Sequence, residues 1–510
     1  MLAWLIAAPA LAAVIVALIP RSRKELHLPV AFVLSFVPLA LAGVVFYEFQ
    51  AGDAAFQFAE RVTWYEPWGI EWNVGIDGIS LGMVVLTTVL FPVSLAASTS
   101  IDKKVKEYVV SILFLEAGLI GTFLALDLVL FFVFFEAILI PMYFLIGIWG
   151  SERRIYAAVK FFLYTAFGSA LMLAGIIGLA FFHADQTGIA SFAYQDLLGL
   201  DLSQLDERLL FAAFGLAFAI KVPIFPLHTW LPDAHVEAPT AGSVLLAGVM
   251  LKLGTYGLLR FNLGLFPQAS VDAVPIMATL AVIGIVYGAA VAIVQPDLKK
   301  LVAYSSVSHL GFIVLGTFAL TSAGLQGAVI QNVNHGLTTG ALFLLVGMIY
   351  ERRHTKKIAD FGGLWKVMPI YSGLFLFASF ASIGLPGLNG FVGEFLVLIG
   401  AYATLPWFAV IAASGVVLAA VYRLWAYERV FTGVPDKPEN QALSDVNARE
   451  IGLMAPLVVL ILVLGLYPQV LLEKTAASTE AVLDRIEAVT DYRVPEPGRL
   501  ADLYVAGGEE

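Results

Sequence analysis

About fourteen stretches, each of roughly 20 predominantly apolar residues, recur along this 510-residue chain, and this recurrence constrains its folding more than any other feature. A helix of that length spans the hydrocarbon layer of a bilayer. The chain is 60% hydrophobic and 13% charged, with a mean hydropathy of +0.88. A soluble domain carries about 25% charged residues. So much apolar surface cannot be hidden from water in one core, and a bilayer must serve as part of the solvent. The expected fold is an all-α polytopic membrane protein. Helices are predicted near 2–20, 28–47, 77–98, 108–126, 127–148, 155–182 and 208–227, then near 240–262, 273–294, 300–318, 325–349, 369–399, 402–430 and 451–471.

Charge in the loops gives an orientation. Cytoplasmic loops are enriched in Lys and Arg. Alternate loops here carry Arg21, Arg23 and Lys24; Lys103, Lys104 and Lys106; Arg153 and Arg154; Lys299 and Lys300; Arg352, Arg353, Lys356 and Lys357; and Lys437 with Arg449. The opposite loops are nearly free of positive charge, and 184–207 carries Asp185, Asp196, Asp201 and Asp206 with no Lys or Arg. This parity places both termini outside. The loop HTWLPDAHVEAP between the seventh and eighth helices is an exception, holding only His228 and His235. The first apolar run precedes its positive charges, which predicts a retained helix rather than a cleavable signal. The segment 48–76 mixes aromatic and turn residues and fits either a short hairpin or an interfacial aromatic belt. The tail 472–510 is expected to be an exposed helix followed by disorder.

The absence of cysteine removes disulfides, thiolate chemistry, iron–sulfur ligation and Cys-based zinc sites. A net charge of −10 with no basic stretch argues against nucleic acid. No Gly-rich turn follows a strand, and GLPGLNG falls inside a span, so nothing here is shaped to bind NADH.

A charge at the centre of a span costs at least about 2.5–3.5 kcal/mol. This chain repeats that cost: Glu116 in SILFLEAGLIG, Glu136 in FFVFFEAILIPMYF, Lys221 in FGLAFAIKVPIFP, Lys252 in LLAGVMLKLGTYG, and Glu394 after GLPGLNGFVG, with Lys160 nearer a helix start. Burial and an opposite charge act on Glu and Lys in opposing directions, so a Glu/Lys pair can serve as a protonation switch or as a static lock between helices. His309 and His335 lie in the tenth and eleventh spans. His335 shares a helix face with Gln331, Asn334 and Thr338, and His309 with Ser305, Ser308 and Phe312. Proton relay and interhelical hydrogen-bond glue both fit such faces.

Two spans are interrupted. Pro223 and Pro226 follow Lys221 and free backbone carbonyls there. Gly384, Pro386, Gly387 and Gly390 break the twelfth span before Glu394. Helices four to eight and nine to thirteen would form two groups of five. A five-helix repeat inverts in the membrane, which makes the broken seventh and twelfth helices equivalent, and broken helices at corresponding places point to an ion path.

The stretches around these residues resemble the antiporter-like subunits of respiratory complex I, and more narrowly their M branch, the bacterial counterpart of mitochondrial subunit 4. They are FFEAILIPMYFLIGIWG at 134–150, the run KVPIFPLHTWLPDAHVEAPTAGSVLLAGVMLKLGTYGLLR at 221–260, QPDLKKLVAYSSVSHLGF at 295–312, NHGLTTGALFLLVGMIYERRHT at 334–355 and GLPGLNGFVGEF at 384–395. LPDAHVEAPT is the most specific of them. The short tail and Glu394, where the L and N branches usually carry Lys, favour M. The resemblance implies fourteen helices: an N-terminal part at 1–107, inverted repeats at 108–262 and 273–430, and a last helix with an exposed tail at 451–510. It implies a proton-translocating subunit of NADH–quinone oxidoreductase in a bacterial plasma membrane, driven by redox chemistry elsewhere. NADH, flavin, iron–sulfur clusters and quinone would sit in partner subunits, and L- and N-type subunits would be its neighbours. Glu136 would pair with Lys221 and tune it, with Glu116 assisting; Lys252 would be the central relay, His309 and His335 would continue the path, and Glu394 would be the exit-side acid. An Mrp-type cation/proton antiporter subunit and the membrane subunit of a related hydrogenase or formate-linked complex share these motifs. A structural anchor is the bland alternative.

Overall fold

A computed structural model describes residues 1–495. Helices stand at all fourteen expected places. They are α1 (Leu2–Leu18), α2 (Arg21–Glu48), α3 (Gly78–Ala96), α4 (Val105–Leu124), α5 (Leu128–Trp149) and α6 (Arg154–Thr187). The broken seventh is α7a (Gln204–Lys221) and α7b (Trp230–Glu237). Then come α8 (Thr240–Leu265), α9 (Pro267–Ile293), α10 (Leu298–Phe318), α11 (Ser322–Arg353), α12a (Pro369–Ile383), α12b (Asn389–Thr404), α13 (Pro406–Phe431) and α14 (Ala448–Leu466). Among the described residues, eleven helices are long and apolar enough to cross a membrane, and α1, α12a and α12b are shorter apolar ones.

Several helices begin on a side chain that satisfies their first free amides. Asp77 accepts from Ser80 N in a capping box, Asp127 from Val129 and Leu130, Asp297 from Lys299 and Lys300, and Asn447 from Glu450. The ninth helix starts at Pro267 rather than near residue 273, because proline suits the first helical position, where no amide is required.

Residues 48–76 resolve to a hairpin. Strands β1 (Gln57–Tyr65) and β2 (Ile70–Ile76) pair antiparallel, with Glu60 opposite Val74 and Val62 opposite Trp72. The tail departs from expectation. Helix α15 (Gln469–Val489) buries Leu471, Leu472, Val482, Leu483 and Ile486. It is an amphipathic strap, not an exposed helix: Ser478 Oγ accepts from Gly78 N at the start of α3, and Arg485 donates to the carbonyls of Gly264 and Leu198. Apolar residues recurring on one face explain this packing. The disorder expected further on lies outside the described residues.

Helices α8, α10 and α11 are almost wholly buried, whereas α2, α13 and α14 bury only about a third of their residues. The ionisable residues of α8, α10 and α11 therefore sit at the centre. Both expected breaks are present. The chain leaves helical form after Lys221 and re-enters it at Trp230. At the second break, Gly384 and Gly387 take left-handed backbone with φ of 84° and 91°. There the chain doubles back so closely that a Cβ on Gly390 would lie 2.1 Å from the carbonyl oxygen of Ala381. Two π-helical turns, Leu246–Met250 and Leu258–Asn262, interrupt α8 on either side of Lys252.

Candidate functional site: a buried ionisable chain

Lys252 of α8 is fully buried, and its Nζ lies 2.7 Å from His335 Nδ1 of α11 and 2.5 Å from the carbonyl oxygen of Ala247. A lysine ammonium donates only. Against a charged Lys252, Nδ1 of His335 must therefore accept, which leaves the ring proton of a neutral His335 on Nε2. A second link, from Thr255 Oγ1 to Asn332 Oδ1 at 2.5 Å, fixes the same two helices. Gly254 lets α8 approach α7a: a Cβ there would stand 2.7 Å from the Phe218 carbonyl oxygen.

The His335 ring centroid lies 6.0 Å from that of His309 on α10. His309 Nδ1 is 2.7 Å from Glu394 Oε1 on α12b. The same oxygen accepts from Gln331 Nε2 at 3.1 Å. His309 Nε2 meets two hydroxyls, Ser382 of α12a at 3.2 Å and Tyr422 of α13 at 3.1 Å. The break in α12 thus has a visible use. It turns α12b so that Glu394 faces His309, while α12a ends with Ser382 on the other edge of the same ring.

Four of the seven expected residues, Lys252, His335, His309 and Glu394, therefore form one connected run. The other three lie apart from it. Lys221 is buried with its ammonium 4.5 Å from the centre of the Phe135 ring and, among the described residues, no hydrogen-bond partner. Glu136, on the next residue of α5, is half-buried, and its Oε1 is also unpartnered. Glu136 and Lys221 form no salt bridge within 4.0 Å; the ammonium lies over the Phe135 ring, and the two charges interact at longer range. Glu116 is fully buried, with neither carboxyl oxygen hydrogen-bonded among the described residues.

The helix-face reading also sorts out. Gln331 joins Glu394, and Asn334 donates to the Asn389 carbonyl at the α12 break, at 2.7 Å. Ser308 turns away to the Ile285 carbonyl. Sequence reasoning missed Arg423 of α13, buried with Nη2 2.7 Å from Ser305 Oγ. Its signal, a lone Arg in VVLAAVYRLWAY, reads equally as a charge reaching toward the nearby loop. It also missed the buried ion pair of Arg260 Nη2 with Asp77 Oδ1 at 2.5 Å, where both residues stand at helix ends and look like loop charges. Among the described residues, no group of side chains could hold a metal ion.

Spans crossed by paired and unpaired charges, with two broken helices framing a polar axis, define a polytopic helical membrane protein with a buried polar interior. The family model "NADH:quinone oxidoreductase/Mrp antiporter, TM" matches residues 125–419, and the chain belongs to that family. It is 45% identical to NADH-quinone oxidoreductase subunit M of Rhodobacter capsulatus, over 92% of each chain. It is 44% identical to NADH-ubiquinone oxidoreductase chain 4 of Marchantia polymorpha, over 92% of this chain and 94% of that one. Among solved structures, a chain of respiratory complex I from Thermus thermophilus superposes with a TM-score of 0.86 at 31% identity, over 95% of this chain and 100% of that one. A chain of the Mrp complex from Dietzia shares the fold, with a TM-score of 0.83 at 23% identity.

Proposed function

We propose that this chain is the M-type proton-translocating subunit of an NADH–quinone oxidoreductase, set in a bacterial plasma membrane with both termini outside. The observation that carries this reading is the run Lys252–His335–His309–Glu394, in which consecutive members belong to four different helices. Groups that each gain and lose a proton, spaced within reach of one another or of one bridging water, form a relay. Lys221, with Glu136 and Glu116, supplies the first repeat's acid and base, and water would connect it to Lys252. Helices α4–α8 and α9–α13 act as inverted repeats, with α7 and α12 as equivalents. Redox centres and quinone belong to other subunits, and the half-exposed Glu136 flank of α5 faces one of the L- or N-type neighbours.

An Mrp-type cation/proton antiporter would share the fold. The respiratory reading is favoured by the 45% identity, over nearly the whole length, to a protein named as subunit M. The deciding experiment is NADH-driven proton uptake by inverted membrane vesicles carrying Lys252→Met, with assembly followed by NADH oxidation through a hydrophilic acceptor. An assembled complex whose proton uptake falls at least about tenfold supports the relay. Unchanged uptake sinks it, and a pH gradient driven by sodium without NADH turns the assignment to the antiporter.

A further inference from the structure

Arg423 is 1% exposed, and among the described residues no carboxylate lies within ion-pair distance of it. Nη2 donates to Ser305 Oγ at 2.7 Å and to Ser382 Oγ at 3.3 Å, while among the described residues Nε and Nη1 have no hydrogen-bond partner and the guanidinium lies 5.3 Å from the Tyr422 ring centre. A buried, uncompensated guanidinium is costly, and apolar residues of similar size would fill its place more cheaply. Its position answers that cost with a polarity argument.

A guanidinium donates and never accepts. Ser305 accommodates this by sending its own proton to the Val302 carbonyl, at 2.7 Å, and accepting from Arg423 on a lone pair. Ser382 has a single proton and one remaining partner, His309 Nε2, at 3.2 Å. With Arg423 donating to Ser382, that proton turns to Nε2, and Nε2 is an acceptor shared by the Ser382 and Tyr422 hydroxyls. The ring proton of neutral His309 is then on Nδ1, aimed at Glu394 Oε1 2.7 Å away. An imidazolium at His309 would reverse the Ser382 bond and face a fixed cation across one hydroxyl. The other titratable groups facing this cluster are His335 of α11, Glu394 of α12b and Tyr422 of α13, with Lys252 of α8 one step further; α12a contributes Ser382.

We infer that Arg423 is a positioning residue of the proton path: acting through Ser382, it holds His309 as the Nδ1–H tautomer and drives the Nδ1 proton onto Glu394. The step balances when the incoming proton comes from Lys252: its N–H bond breaks, Nε2 gains that proton by way of His335, the Nδ1–H bond breaks, and an O–H bond forms on Glu394, leaving all three side chains neutral. This rests on the proton-path reading above, and the variants separate the two.

The test uses inverted vesicles holding the complete complex, with proton uptake measured across pH and assembly checked by NADH oxidation through a hydrophilic acceptor. A fixed positive charge disfavours proton binding beside it, so Arg423→Met should move the alkaline limb of the profile upward by about one pH unit. Arg423→Lys, which keeps the charge, should restore most of the wild-type profile, and Ser382→Ala should shift it in the same direction by less. An Arg423→Met profile that is merely scaled down equally at every pH overturns the inference, as does Arg423→Lys shifting as far as Arg423→Met. If Arg423→Met does not assemble, an unshifted Ser382→Ala overturns it and a shifted one supports it. Glu394→Gln pumping normally would sink the underlying path. Glu394→Gln losing pumping beside an unshifted Arg423→Met would sink this inference alone.

Discussion

Lys252 Nζ and His335 Nδ1 meet at 2.7 Å, deep inside the helical bundle, where among the described residues neither side chain has another side-chain hydrogen-bond partner. The contact sets donor and acceptor roles at the midpoint of the run. It also makes the acceptor on α11 the group whose removal is most informative.

His335→Phe keeps a ring of similar size but removes that acceptor. Lys252 would retain only the Ala247 carbonyl. We expect an assembled complex in which proton uptake falls at least about tenfold. The unmet donor should lower stability by about 1–3 kcal/mol. Vesicle uptake and thermal unfolding of the purified complex check both, and uptake above half of wild type would contradict the relay.

Glu136→Gln addresses the other half of the molecule. No hydrogen bond ties Glu136 to Lys221, so a purely structural role predicts little change in assembly or pumping. A working protonation site predicts normal assembly with pumping and coupled quinone turnover reduced together. Measuring both rates on the same membranes distinguishes these outcomes.

The Asp77–Arg260 pair is nearly inaccessible to solvent, with side-chain exposures of 3% and 4%. Arg260→Met alone strands the buried carboxylate and should cost about 3–5 kcal/mol. Adding Asp77→Asn should recover part of that loss, and a double-mutant cycle on unfolding midpoints would show it. Additive losses would mean the pair is not coupled.

Gly390→Ala places a methyl group against a backbone oxygen, which cannot move aside as a side-chain tip can. We expect little or no assembled complex. Gly43→Ala, where nothing lies within 4 Å, is the matched control and should assemble normally. Equal yields of the two on a native gel would contradict the geometry of the α12 break.

At the hairpin, Arg61 bonds both Glu71 and Asp196, at 2.5 and 2.8 Å. Partial burial opposes ionisation of Asp196, but the Arg61 and Ser191 hydrogen bonds outweigh it and hold its carboxyl below the ordinary value of 3.8. A depressed carboxylate stabilises fully above its unfolded value, and that contribution fades as pH falls through the folded one. Hydrogen-exchange protection of 57–76, corrected for intrinsic rates, should therefore stay flat between about pH 5 and 8. Arg61→Gln should lower it throughout that range.

Much of this molecule was legible in its sequence, because the signals were local. Apolar length marked the spans, Pro223 and Pro226 marked one break, and Gly384 to Gly390 the other. Intramembrane charge singled out Lys252, His309, His335 and Glu394, which the structure joins. What stayed hidden depends on three-dimensional neighbours. Phe135 stands at the Lys221 ammonium because of how α5 packs on α7a, and no spacing rule gives that. Ser382 and Tyr422 are ordinary polar residues until the α12 break brings one of them to His309. The buried face of α15 was overlooked because Thr475, Ser478 and Thr479 fill its middle and interrupt the apolar periodicity between Leu472 and Val482.

The two π-helical turns of α8 have a further consequence. In a helix of 3.6 residues per turn, one residue corresponds to about 100° of rotation. A π turn takes up one residue more per hydrogen-bonded ring than an α turn, as the bond from Leu251 N to the Leu246 carbonyl shows. The turn Leu246–Met250 therefore stores one residue without changing the direction in which Lys252 points. Deleting one residue there would let it relax to an α turn with the ammonium still facing His335, but it would remove the widened turn whose Ala247 carbonyl the ammonium bonds. In this helix the spare residue shapes the backbone around the lysine rather than its heading.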